Sequence, residues 1–204
     1  DMEYYPQHID QYVADWGKVR SKYDVIVFYN WNLETPGNET AWWKRGTKEA
    51  LEELGAQEHG IVILHHAITA FPQWEFWSQL MGNAHKDRQW NVSELFNNVN
   101  QWLSFGETLH IEIADPNHPI VSGLDAWDLI GETWRGLGGY PGSDCHVLLT
   151  ADHPKMQMKA MAWTYQFKKA RVFCFQPGHD NDSWSNENFR RVLGRGIRWA
   201  AKRL

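Results

Sequence analysis

Cysteine is scarce in this chain, with two among 204 residues, so no disulfide framework holds it together. Cys174 lies inside an apolar run and reads as a small buried hydrophobe. Cys145 stands beside His146, but neighbours along a strand point to opposite faces, which argues against a catalytic Cys-His couple. A basic excess is also missing. Lys and Arg number 20 against 25 Asp and Glu, a formal charge of −5, and such a chain offers no field for a phosphate backbone. Nucleic acid is therefore not an expected partner. Nor is a membrane, since no apolar run approaches the roughly 20 residues of a spanning helix. With no leader peptide recognisable, a cytoplasmic location is expected. Internal repeats and low-complexity linkers are absent, and the chain reads as a single domain over 1–204.

What the chain has in excess is aromatic and titratable: 13 Trp and 10 His. The flat indole face stacks on the C–H face of a sugar ring. Trp163 and Trp199 fit core positions, whereas Trp31, Trp42, Trp74, Trp77, Trp134 and Trp184 fall in or beside loops and short helices that flank strand ends. Aromatics with convergent polar groups describe a small-molecule site.

Tyr23 to Tyr29 is a near-continuous β-rich run, as expected of a strand covered on both faces. A helix over 41–54 follows, stopped by Gly55, and a second apolar strand over 61–65. This strand–helix–strand unit predicts a parallel crossover. Phe71 to Met81 reads as a short aromatic helix, and 83–106, rich in Asn, Gln and Trp, as an excursion from the sheet. Residues 108–113 alternate, which places His110 and Glu112 on a solvated face. Strands are expected at 146–150, 161–166 and 171–176, then a helix over 186–203 capped by Ser185 or Asn186. The expected fold is a three-layer α/β domain with a mostly parallel, flavodoxin-like sheet and helices on both faces.

Two of these strands end in histidine. The run Gly60 to Leu64 leads into His65-His66, and Phe173 to Phe175 leads through Gln176-Pro177-Gly178 into His179-Asp180. Ligands of open α/β sheets bind beyond the carboxyl ends of the strands, so the two ends predict one shared crevice. Adjacent residues on an extended segment face opposite ways, so His66 is expected to face the crevice and His65 to play a structural part at its edge.

In order and spacing, several segments resemble the trehalose-utilisation (ThuA-like) family. They are His65-His66-Ala67, Asp115-Pro116-Asn117-His118-Pro119-Ile120 with Gly123-Leu124, Glu132-Thr133-Trp134, Trp163 before Arg171-Val172-Phe173, Gly178-His179-Asp180, and Gly196-Ile197-Arg198-Trp199-Ala200. The resemblance runs from about Tyr23 to Leu204 and implies a class I glutamine amidotransferase-like fold and a carbohydrate-related role. Three departures stand out. The family's opening strand and His-bearing loop have no counterpart before Tyr23, and its Asp-Glu-Thr is Gly131-Glu132-Thr133 here. Its Gly-rich bend is replaced by Lys168-Lys169-Ala170. Glutaminase chemistry needs a Cys nucleophile on the turn after a central strand. That turn carries His65-His66-Ala67, so no glutaminase activity is expected.

Two function classes remain open. In one, His66, Glu132 and His179 are catalytic and perform acid–base chemistry on a sugar or keto-sugar, with His65, Trp74, Trp77, Trp134, Asp180 and Trp184 lining the substrate. The same His66, Glu132 and His179 suit a divalent metal such as zinc, though nothing in the sequence requires a cofactor. In the other, the chain is a non-catalytic sugar-binding or oligomerisation module, and a homo-oligomer is compatible with either.

Overall fold

A computed structural model describes residues 22–32, 35, 46–71, 74–82, 103–134, 141–156 and 159–204. Strand β1 (Val25–Phe28) lies parallel to β2 (Gly60–Leu64), with helix α1 (Thr47–Glu52) between them in sequence. Every residue of β2 is buried, as a strand covered on both faces requires. After β2 come a 3-10 turn (His65–Thr69), helix α2 (Glu75–Leu80) and strands β3 (Leu103–Ile113), β4 (Trp127–Trp134), β5 (His146–Ala151), β6 (Ala160–Phe167) and β7 (Ala170–Phe175). Helices α3 (Asn181–Ser185) and α4 (Glu187–Ala200) close the chain.

The seven strands form one sheet in the order β1-β2-β7-β6-β5-β3-β4. The parallel part is where expected: β1, β2 and β7 run together. The mostly parallel, flavodoxin-like description is corrected, because β7–β6, β6–β5, β5–β3 and β3–β4 are all antiparallel. For β6 and β7 the reason is connection length. Phe167 pairs with Ala170, leaving two residues to turn the chain, whereas a parallel return needs a dozen or more. Strand β4 was not anticipated. Its Asp128, Gly131 and Glu132 are residue types depleted in strands, although its pairing with β3 runs from Trp127 to Trp134.

Alternation along β2 and β7 feeds two cores. Ile61, Ile63, Val172 and Cys174 pack with Leu51 of α1 and Trp77 of α2, while Val62, Leu64, Phe173 and Phe175 pack with Phe189 and Val192 of α4. Asn186 caps α4 by accepting the Phe189 amide at 3.0 Å. Helix α4 sits close on the sheet. A Cβ on Gly196 would stand 2.1 Å from the Phe173 ring, so only glycine fits there. Residues 41–45 that would begin the predicted first helix, Trp42 among them, and residues 83–102 of the predicted excursion lie outside the described residues. Among the described residues no helix is long and apolar enough to cross a membrane.

Four strands separate β2 from β4 in the sheet, yet Glu132 of β4 touches the residues that follow β2. The sheet therefore curls into a half-barrel, and this curl builds the site.

Candidate functional site

Strand β2 stops at Leu64, and His65 takes a left-handed φ of 49°, uncommon for a residue other than glycine. The bend ends strand alternation and starts the 3-10 turn. Instead of facing away from one another, His65 and His66 have ring centroids 3.9 Å apart. The expectation that the two rings face opposite ways is thus corrected.

His179 comes from the end of β7. Gly178, at φ 131°, turns the chain in a conformation that favours glycine. Its carbonyl accepts hydrogen bonds from the Tyr29 hydroxyl at 2.7 Å and the Trp184 indole at 3.1 Å. Glu132 arrives from β4, where alternation places Asp128, Ile130 and Glu132 on one face. Ile130 is exposed there, and Glu132 is buried under the histidines.

All three rings converge on a single carboxylate oxygen. Glu132 Oε2 lies 3.2 Å from His65 Nε2, 3.5 Å from His66 Nε2 and 3.0 Å from His179 Nδ1. Glu132 and His65 are sealed, with side chains 1% and 2% exposed, while His66 and His179 are 27% and 28% exposed. The cluster thus has a closed floor and an open side.

Burial pushes the Glu132 carboxyl upward, but hydrogen bonds and charge from the His65 and His66 rings outweigh it and bring the pKa to about 2. Burial lowers the His65 ring in turn, against the pull of Glu132. The backbone fixes one ring nitrogen of His65. His65 Nδ1 is 2.8 Å from the Gln176 carbonyl, which can only accept, so Nδ1 carries the hydrogen. Nε2 then faces Glu132, as a lone pair in the neutral ring and as a donor in the charged one. Glu132 is ionised, and the His66 and His179 rings stand within ion-pair distance of it.

Such a donor set can hold a metal ion. The four ligand atoms lie within 4.8 Å of one another. At bonds of about 2.1 Å, tetrahedral neighbours of zinc stand about 3.4 Å apart, close to the three Glu132 distances.

The other predicted residues sort differently. Trp74 and Trp77 are core, not substrate wall: Trp77 is 1% exposed and donates its indole hydrogen to the Ala67 carbonyl at 2.8 Å. Asp180 faces its own helix, accepting the Asp182 and Ser183 amides as the cap of α3. Trp184 is half-exposed and meets Tyr29 edge to face at 5.8 Å. Trp134 ends β4, and its side chain lies outside the described residues. Sequence reasoning missed Phe105, whose ring lies 4.8 Å from His179, and gave no site role to Trp31, which stacks on His66 at 5.2 Å. Residues 103–106, assigned to the excursion, instead belong to β3, which is why Phe105 was passed over.

The profile of a family described as trehalose utilisation, ThuA, matches residues 13–200. Among solved structures, a ThuA-like protein from Parabacteroides merdae is similar with a TM-score of 0.61 and 23% identity, over 89% of this chain and 71% of that one. A ThuA-like protein from Bacteroides uniformis gives 0.63 and 16%, over 91% and 71%. A cytoplasmic protein from Salmonella typhimurium gives 0.63 and 15%, over 97% and 76%. At such identities the likeness is one of fold. No curated protein matches the chain.

Proposed function

The chain belongs to the ThuA family of trehalose utilisation, and from that premise we propose that it acts on a sugar or keto-sugar at a divalent-ion centre held by His65, His66, Glu132 and His179. The observation that carries this reading is the convergence of three ring nitrogens on Glu132 Oε2, one of them on a ring held in place by the Gln176 carbonyl. Ring nitrogens and a carboxylate oxygen gathered within 4.8 Å are the donors a divalent cation takes.

Zinc suits this set of nitrogen and carboxylate donors. When bound, it supplies a Lewis acid for a carbonyl or hydroxyl oxygen. The protein's own part is to fix the donors and open one side. His65 is locked by Gln176, Glu132 is shielded from water, and the half-exposed His66 and His179 edges face the substrate.

A second reading keeps the same residues without an ion. His66 and His179 lie at 3.5 and 3.0 Å from Glu132, hydrogen-bond reach for protonated rings, and would exchange protons with the sugar as general acid and base. Chelation separates the two. Turnover should be measured on disaccharides and their keto forms, before and after chelator treatment and on adding zinc back. The ion reading expects turnover to vanish and return; chelator-resistant turnover favours the metal-free reading. Saturable sugar binding with no turnover in either state would make the chain a binding module.

A further inference from the structure

We propose that Trp31 and Phe105 form a stacking pair that seats a pyranose ring over the cluster. This rests on the sugar reading above and deepens it, because it says which part of the substrate is recognised and by what.

The exposed aromatics gather at one place. Among the described residues, the large exposed aromatic side chains are Tyr29, Trp31, Phe105 and Trp184, and each is tied to the cluster or to the turn that carries it. Tyr29 and Trp184 have a structural duty, since both donate to the Gly178 carbonyl and so fix the turn before His179. Trp31 and Phe105 approach the cluster through their rings. Trp31 lies nearly parallel to His66 at 22°, and Phe105 is tilted 33° to His179. They are 42% and 54% exposed, much apolar surface to leave in water beside a polar site.

Phe105 is also presented by a deliberate irregularity. The β3–β4 register shifts between Ser104 and Glu107, and Gly106 within that bulge has φ 69°. A Cβ on Gly106 would meet nothing within 4 Å, so the backbone conformation, and not crowding, calls for glycine there. Bulges beside functional sites re-aim a side chain, and here the re-aimed side chain is Phe105.

A pyranose matches these surfaces. Its axial C–H bonds give the ring an apolar face for an indole or phenyl, while its rim of hydroxyls, or a carbonyl in the keto form, can reach the half-exposed histidines. An open-chain polyol has the same hydroxyls but no face.

The test is calorimetric binding of methyl glucopyranoside, trehalose and sorbitol to the intact protein and to Trp31→Ala, Phe105→Ala, Trp31→Phe and Phe105→Tyr. Folding is checked by circular dichroism. The pair predicts pyranosides bound at least about tenfold tighter than sorbitol, about tenfold weakening in each alanine variant, and recovery in the aromatic ones. Where turnover is measurable, the loss should fall on KM with kcat kept, as expected when a contact is equal in ground and transition states. Pyranosides bound equally by the wild type and both alanine variants would overturn the pair and leave the sugar reading standing. A wild type that binds none of these sugars would overturn both.

Discussion

Replacing Glu132 by Gln should reduce turnover by about 10²- to 10⁴-fold, the range removed when a positioned acid–base or electrostatic group is lost. The change is nearly isosteric, so the side chain still fills its buried place between β4 and the 3-10 turn. What it removes is charge. Three rings converge on Oε2, and a neutral amide offers them no charge to pair with and is a far weaker ligand for a cation. His179→Ala should cost turnover similarly while moving the melting temperature little, since that ring is at the open side. The check is paired turnover and thermal unfolding for each variant. Full activity in folded Glu132→Gln would remove the carboxylate from the mechanism.

Acid should unfold the protein in two stages. Burial lowers the His65 pKa, so the unfolded ring binds a proton more readily than the folded one. That contribution is complete above about pH 6.5 and declines as the pH falls below it. Glu132 is depressed from 4.5 to about 2, so its contribution is complete above about 4.5 and is lost as the pH falls toward 2. The Glu132 stage is worth on the order of 3 kcal/mol. Urea unfolding between pH 8 and 3, with chelator present to exclude competition between protons and metal, should show stability falling through both windows. The lower stage should vanish in Glu132→Gln. Constant stability from pH 7 to pH 4 would contradict the buried charge arrangement.

Strand ends were the most legible part of the site. His66 and His179 could be placed because apolar runs lead into them, and the chain does bring them together. Glu132 came from a family pattern alone, since β4 reads poorly as a strand with Asp128, Gly131 and Glu132 in it. His65 was misjudged for a specific reason. Alternation presumes extended backbone, and one left-handed residue cancels it. The tryptophans misled through composition. Trp74 and Trp77 fill the core under α2, and no count separates a packing indole from an exposed one. The sheet's direction was partly readable, because the two residues between β6 and β7 forbid a parallel return. Its curl was not readable, since it depends on the summed twist of seven strands and appears only when Glu132 meets His65.

That His65, His66, Glu132 and His179 act as one ion-holding centre is tested most directly by zinc titration of chelator-treated protein in a calorimeter. The predicted result is about one ion bound per chain, and no binding at that stoichiometry in Glu132→Gln. A natively folded wild type that binds no zinc, or binds it equally well after Glu132→Gln, would contradict the account.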